Sequence, residues 1–516
     1  MASHSRTSAI LITTTLAVAL TGYFRELLLA GLFGVGPEVD AFYFSLVLVQ
    51  AFHDLLFGGV LTASVVPLLH RLDVASASSQ AERARFVVTA TVLVAFTAAV
   101  LAAVMRAIMP LMIVRLAPDL SPEAMRLALP FADLLVWSIP LNAIVTLFIL
   151  VLNAHNRFRV AAATYLVNNL LFIAVAYVFY GFLGAVALPV AFLGGPLLNI
   201  PLLGWRLKKM GLLRAIAPDF SRAFFKPVWV QSRSLVLSAG VGSTIGFLMA
   251  SQLIARSFAA AHGEGAIAAL AYAFRLYEVP ISLAVNPAAT MLFPAAASFY
   301  IAGQSGKVRE VANSAIMWGL IILFPAVVLT FVGAKPIVHL VLERGKFDAQ
   351  AAQLTSEALR GFAPAILTES VFVVFFRVFY AIHRPAWTVS IAVMSLVVLV
   401  GLLFATQKAS FLFVPLSVSL SFAFSAACIV FLLIRHFGRE VVPDWRDIGR
   451  WAFGAAASLL IWKAARASLP ADLRGELIAL LIFSIGYVAA MSLLLIEHRK
   501  LLVVSLRRIV SAAEQV

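Results

Sequence analysis

Two arginines lie in stretches of sequence that are otherwise apolar enough to cross a membrane. Arg25 lies in LTGYFRELLLAGLFG, and Arg275 lies in LAYAFRLYEVPISLAV. A cation in the hydrocarbon region is costly unless it faces a polar cavity or a partner, so both arginines are candidate functional residues. Guanidinium groups bind phosphate oxygens in a bidentate manner, which favours a ligand that carries a diphosphate over a cationic one.

The acidic neighbours of the two arginines differ in their spacing. Arg275 and Glu278 are three residues apart, share a helix face and can therefore form an ion pair. Such a pair could simply lower its own cost of insertion. Glu26 is adjacent to Arg25 and is expected to point elsewhere, so we expect an unpaired Arg25 guanidinium that faces a cavity.

Further charged or titratable residues lie in other apolar stretches. Asp40 begins the second stretch and is either the N-cap of that helix or a gating or coupling residue. His53 and Asp54 lie in the same stretch, where neighbouring side chains diverge by about 100°. They are either a proton-coupling pair or groups that hydrate a cavity. Asp133 and Glu369 could brace helices against one another.

The composition predicts an integral membrane protein made of helices. Of the 516 residues, 62% are hydrophobic and only 12% are charged, whereas soluble proteins are about half apolar and about a quarter charged. Apolar spans of this length form helices, because each backbone group must be satisfied within its own segment. The net charge of +15 is attributed to basic cytoplasmic loops rather than to nucleic-acid binding. We find no metal-ligand cluster, nucleotide-binding loop or nucleophile motif. We therefore expect no enzymatic activity and no cofactor, and we expect coupling to the membrane potential or to a monovalent ion.

Apolar runs between polar breaks predict fourteen spans of about twenty residues or more. The predicted spans are 8–33, 40–68, 86–113, 127–152, 160–180, 183–205, 229–256, 266–298, 311–334, 353–380, 385–406, 411–434, 449–468 and 475–496. An even number places both termini on the same side of the membrane. Most loop Lys and Arg residues fall on that side, which predicts cytoplasmic N- and C-termini.

An internal repeat is visible at a single offset of 227 residues. The matched pairs are Pro67 with Pro294, Arg157 with Arg384, and 207–211 with 434–438. Six helices per copy is an even number, so the two copies share one orientation. We predict an N-lobe in residues 1–222, a C-lobe in residues 223–445, and two added helices with a cytoplasmic tail in residues 446–516. Two like lobes around a cavity are typical of alternating-access transporters; the alternative is an old duplication without transport.

Four segments are similar to those of a known family. They are GYFRELLLAGLFGVGPEVDAFYFSL at 22–46, VLNAHNRF at 151–158, YAFRLYEVP at 272–280 and ERGKFDAQAAQLTSEALRGFAP at 343–364. In residues, order and spacing they resemble the MviN/MurJ family of lipid II flippases, in the multidrug/oligosaccharidyl-lipid/polysaccharide exporter superfamily. The resemblance covers nearly the whole chain and implies fourteen helices, the last two outside the repeat.

The resemblance implies that the chain moves an undecaprenyl-diphosphate-linked saccharide from the cytoplasmic to the periplasmic leaflet of a bacterial inner membrane. It implies that Arg25 and Arg275 receive the diphosphate in a central cavity, and that Asp40 and Glu278 fall on family motif positions. It also implies a groove beside the last two helices for the lipid tail. The expected partners are this substrate, membrane lipids and the machinery of cell-wall or polysaccharide synthesis.

Two positions depart from the family pattern. Ala19 and His53 stand where the family has further cavity arginines, so the cavity is less cationic. This leaves open a flippase for a lipid-linked exopolysaccharide or O-antigen-type repeat unit. A cation or drug antiporter of the same superfamily would need a cavity dominated by acids. A transport-dead membrane scaffold would have no use for intramembrane arginines.

Overall fold

The computed structural model describes residues 2–54, 57, 80–155, 157–214, 216–221, 240–285, 298–381, 384–470 and 472–494. In these ranges the regular structure is helical. The chain divides into two compact units, Met1–Ala268 and Ala269–Val516. The predicted lobe boundary at 222–223, the repeat prolines Pro67 and Pro294, and the predicted tail from residue 495 lie outside the described residues.

The first unit contains eight of the described α-helices and the start of a ninth. They are α1 (Ala2–Phe33), α2 (Pro37–His53), α3 (Gln80–Leu116), α4 (Pro122–Leu135), α5 (Ser138–Ala154), α6 (Phe158–Leu183), α7 (Ala187–Lys209), α8 (Gly240–Ala259) and α9 (Ala266–Pro280). Helix α6 packs against both α1 and α7, and α2 packs against α4 and α8. These contacts place α1, α2 and α6 around the first arginine.

The second unit continues from α9 through a π-helical turn, Ile281–Val285, into eight further described helices. They are α10 (Ser305–Val332), α11 (Ala334–Leu342), α12 (Ala349–Phe362), α13 (Ala365–Ala381), α14 (Pro385–Ala405), α15 (Phe413–Phe437), α16 (Trp445–Ser468) and α17 (Leu473–Leu494). Helix α13 packs against α10, α14 and α15, and α16 packs against α17.

The outward-facing side chains fit a lipid environment. Large apolar residues such as Phe182, Phe453 and Ile485 are mostly exposed, which a soluble protein would avoid over so wide a surface. Seven helical stretches in the described residues are long and apolar enough to span a membrane, or eight if α12 and α13, which are bent by 48°, form one span. The all-helical multi-pass fold is thus confirmed, and the number fourteen stays a prediction.

The predicted repeat is confirmed by the helix bounds. Shifting α4 and α5 by 227 residues places both their ends on those of α12 and α13. The N-caps also coincide: Ser121 accepts a hydrogen bond from the backbone of α4, and Asp348 accepts one from the backbone of α12. The sequences of these helices differ widely, so the duplication is kept in backbone structure rather than in side chains.

Candidate functional site

The Arg25 assembly is a set of four polar residues on three helices of the first unit: Arg25, Glu26, Tyr43 and Asn169. Arg25 Nη2 donates to Glu26 Oε1 at 2.7 Å, and Arg25 Nη1 donates to Asn169 Oδ1 at 3.2 Å. Tyr43 Oη donates to the other carboxylate oxygen of Glu26 at 2.5 Å. Glu26 and Tyr43 are buried, whereas the Arg25 side chain is 21% exposed. The guanidinium is therefore held in place while part of it stays accessible.

The prediction of an unpaired Arg25 is wrong. Cβ atoms of adjacent helix residues diverge, but the long side chains of Arg25 and Glu26 bend so that their charged groups meet. A carboxylate as buried as Glu26 requires a cation or hydrogen-bond donors. Tyr43 on α2 supplies one donor and fixes the carboxylate, and Arg25 supplies the charge.

The remaining contacts of Arg25 orient the plane of its guanidinium. Arg25 Cζ lies 5.2 Å from the centre of the Phe172 ring, in a cation–π arrangement. In the described part of the chain, the buried Arg25 Nε has no hydrogen-bond partner. The Asn169 amide donates to Val18 O and to Thr21 Oγ1, both at 3.3 Å, and so links α6 to α1.

Tyr43 contacts a second arginine in the first unit. Arg256 on α8 is buried, donates to Tyr43 O at 3.2 Å and lies over the Tyr43 ring at 5.8 Å. Sequence reasoning missed Tyr43, Asn169 and Arg256 as parts of the site. Asn169 could have been noticed, because it interrupts the apolar run LVNNLLF; the long-range contacts of the other two leave no local signal.

Asp40 caps a helix, but not the predicted one. Helix α2 begins at Pro37, a favoured first-turn residue, so Asp40 lies inside its first turn and Gly36 is its N-cap. The Asp40 carboxylate instead accepts hydrogen bonds from the backbone N–H groups of Gly265 at 2.6 Å and Ala268 at 2.7 Å. These bonds satisfy donors at the N-terminus of α9, where a negative charge is also favourable.

His53 and Asp54 contact each other at the end of α2. His53 Nδ1 lies 2.8 Å from Asp54 Oδ1, and both side chains are partly buried. As with Arg25 and Glu26, adjacent residues meet through side-chain bending. Within the ranges described, His53 Nε2 is buried and has no hydrogen-bond partner, so the imidazole can exchange a proton with one neighbour only.

The Arg275–Glu278 pair lies on α9 in the second unit and has the predicted geometry. Arg275 Nη1 and Glu278 Oε2 are 3.1 Å apart, and their side chains are 43% and 40% exposed. Between them in sequence, the buried Tyr277 points to the opposite side, where its hydroxyl donates to Glu369 Oε2 on α13 at 2.8 Å. Glu369 thus braces α13 against α9, as one interpretation of the sequence had it.

Metal binding finds no support in the residues that the structure describes. They contain no group of three or more His, Cys, Asp or Glu side chains that could hold an ion. The Arg25 assembly and the Arg275–Glu278 pair can instead bind an anion, because each presents a partly exposed guanidinium.

Comparison with known proteins places this arrangement in a family. A family profile described as "Lipid II flippase MurJ" matches residues 29–494. A lipid II flippase MurJ from Burkholderia cenocepacia is 27% identical over 469 residues, which cover 87% of this chain and 88% of the relative. A probable lipid II flippase MurJ from Rhizobium meliloti is 28% identical over 356 residues, 67% of this chain and 64% of that relative, somewhat under two thirds of its length.

Solved structures share the fold. A structure described as lipid II flippase MurJ in an inward closed conformation matches with a TM-score of 0.76 at 18% identity, over 94% of this chain and 99% of the other. An inward-facing multidrug transporter of the MATE family matches with a TM-score of 0.67 at 14% identity, over 82% and 98%. Because the family profile covers most of the sequence, the chain belongs to the lipid II flippase MurJ family of multi-pass membrane proteins.

Proposed function

We propose that this chain moves lipid II, an undecaprenyl-diphosphate-linked saccharide, from the cytoplasmic to the periplasmic leaflet of a bacterial inner membrane by alternating access. Family membership and the names of the relatives support this activity. The observation that carries it is the Arg25 assembly, a guanidinium fixed within an apolar helix and still partly accessible. A fixed cation at that depth suits a polar headgroup that must cross the membrane while its lipid tail stays in the bilayer.

In this proposal the two arginines bind the diphosphate in different ways. Arg25 is held by Glu26 and Asn169, so it offers a fixed direction for hydrogen bonds. Arg275 is paired with Glu278 in an exposed i,i+3 pair, which contributes little stability by itself. A phosphate can therefore displace Glu278 as the partner of Arg275 at small cost. Neither arginine transfers a proton or forms a covalent bond in this cycle.

Asp40 and the His53–Asp54 pair take supporting roles in the proposal. Asp40 holds the start of α9, the helix that carries Arg275 and Glu278, so release of its two hydrogen bonds would free that helix end to move. His53 titrates close to neutral pH in its unperturbed state. Its contact with Asp54 makes the pair a coupling site that responds to pH.

Related substrates and other classes are less well supported. A lipid-linked exopolysaccharide or O-antigen-type unit carries the same diphosphate, and its case rests on Ala19 and His53 alone. A cation or drug antiporter would have to place its cargo beside Arg25 and Arg275. Cytoplasmic termini, independence from cofactors and contacts with the cell-wall synthesis machinery remain part of the proposal.

The test is a flipping assay in proteoliposomes that contain the purified chain and labelled lipid II. We expect Arg25→Ala to abolish flipping. Arg106→Ala is the matched control, because Arg106 in the same unit also pairs with an acid, Asp133, but is more than half exposed. Flipping of lipid II by Arg25→Ala at the wild-type rate would contradict the proposal. Flipping of an O-antigen-type lipid but not of lipid II would support the sister role.

A further inference from the structure

Glu369 is a buried acid that the proposed mechanism does not use. It lies in the middle of α13, is 6% exposed, and is surrounded by aromatic side chains that include Phe372 and Phe376 of its own helix. Its hydrogen bond comes from the Tyr277 hydroxyl at 2.8 Å. Tyr277 is itself stacked on Phe362, with ring centres 4.6 Å apart. The carboxyl group therefore lies in an apolar layer between α9 and α13.

The surroundings of Glu369 provide no positive charge. The groups that act on it electrostatically are Tyr277 and the acid Glu278 on α9. Helix α14 has no Asp, Glu, His, Lys or Arg, and those of α10 and α15 are confined to the first turns of α10 and the last turn of α15: Lys307, Arg309, Glu310, Arg435 and His436. An ionised carboxylate buried without a cation is strongly disfavoured, so a bound proton is the natural way to neutralise this one.

A metal ion fits the site less well than a proton does. Glu369 and Tyr277 provide one carboxyl and one hydroxyl, whereas hard cations such as Ca²⁺ or Mg²⁺ take about six or more oxygens. A proton needs one carboxylate oxygen only, and the second oxygen keeps the hydrogen bond from Tyr277. The ligand that matches this chemistry is H⁺.

The position of Glu369 connects it to the helix that carries Arg275. Tyr277 lies between Arg275 and Glu278 in sequence, three residues before Pro280 and the π-helical turn Ile281–Val285, which also packs against α13. Proline and π-helical turns are common sites of helix bending. A change of charge at Glu369 would therefore act on α9 close to a bend.

We infer that Glu369 is a proton-binding site, and that it takes up and releases one proton in each transport cycle. On release the carboxyl O–H bond breaks, the proton passes to water, and the carboxylate that remains keeps the Tyr277 hydrogen bond while it repels Glu278. That repulsion favours a different position of α9 and so changes the setting of Arg275. This inference rests on the proposed function for its role in transport, but not for the binding of the proton.

The proton itself is tested by infrared spectroscopy of the full chain in liposomes. We expect wild-type protein at neutral pH to show a protonated-carboxyl C=O band that disappears at alkaline pH. The band should be lost in Glu369→Gln, shifted in Tyr277→Phe, and unchanged in Asp133→Asn, a matched acid-to-amide control at an exposed site. A band that persists in Glu369→Gln would overturn the inference, as would the absence of any band in the wild type.

The role in transport is tested by lipid II flipping under an imposed pH gradient. We expect the gradient to accelerate the wild type and Asp133→Asn, and to leave Glu369→Gln at the rate measured without a gradient. A gradient response in Glu369→Gln equal to that of the wild type would show that the proton is structural, and would overturn the coupling. A wild type that does not flip would refute the proposed function, while the infrared result would still decide whether Glu369 binds a proton.

Discussion

Arg25 and Arg275 carry the same charged group in different units, but their surroundings differ in almost every respect. Arg25 bonds to a buried acid and to an asparagine 144 residues away, and it lies over an aromatic ring. Arg275 forms its described ion pair with an exposed acid of its own helix. The difference shows that a duplicated backbone can support a rigid cation in one copy and an exchangeable cation in the other. A substrate that must be both gripped and released benefits from having one of each.

The repeat shows how this difference arose in the sequence. At the offset of 227 residues, Arg25 corresponds to Gln252, Tyr43 to Leu270, and Arg275 to Leu48. No charged residue of either site is thus matched by a charge in the other copy. The helices keep their bounds, and the polar residues are distributed independently on them.

The largest effect on this comparison is expected from Glu26→Gln. The variant leaves the Arg25 guanidinium without its countercharge and weakens the Tyr43 contact. Removing one partner of a buried ion pair costs about 3 kcal/mol. We expect a loss of this size in the free energy of unfolding, measured by denaturation in detergent. Unchanged stability would mean that the Arg25 assembly is not the rigid site described above.

A smaller effect is expected from Asp40→Asn. The amide keeps one acceptor oxygen, so one of the two bonds to the N-terminus of α9 is lost together with the charge, at a cost of about 2 kcal/mol. Hydrogen exchange should become faster at residues 265–268. The control is Asp348→Asn, because Asp348 is the N-cap of α12 and asparagine is about as good there. Equal exchange in both variants would contradict the cap assigned to Asp40.

Tyr43→Phe refines the comparison further. It removes one hydrogen bond to the Glu26 carboxylate and leaves the ring in place, which costs about 1.5 kcal/mol for a bond to a charged group. In a double-mutant cycle with Glu26→Gln, we expect the two costs to be less than additive, because both variants remove the same bond. Additive costs would show that Tyr43 acts independently of Glu26.

The smallest effect on stability is expected from Glu278→Gln. Its ion pair with Arg275 is about two-fifths exposed, and exposed pairs contribute less than about 1 kcal/mol. Substrate affinity, in contrast, should rise or stay constant, because the phosphate no longer competes with Glu278 for Arg275. A loss of more than about 2 kcal/mol in unfolding free energy would place Arg275 in the same class as Arg25.

The sequence was informative where a contact depends on local spacing or on composition. The i,i+3 spacing of Arg275 and Glu278 predicted their pair, and apolar runs predicted the helices and their repeat. It failed where a contact depends on tertiary structure. Tyr43 reaches Glu26 from another helix, Asn169 reaches Arg25 from a helix still farther along, and Asp40 caps a helix that begins more than 220 residues later. No local pattern carries that information, so the pairing of Arg25 could not be foreseen.

The most direct test of the central claim is the affinity of the purified chain for an undecaprenyl-diphosphate-linked saccharide, measured at fixed salt for the wild type and for Arg25→Lys. Lysine keeps the charge and loses the bidentate geometry and the bond to Asn169. We expect affinity to fall about tenfold, which corresponds to about 1.4 kcal/mol, and Arg106→Lys to bind as the wild type does. Wild-type affinity in Arg25→Lys would contradict the claim that a fixed guanidinium at this position receives the diphosphate.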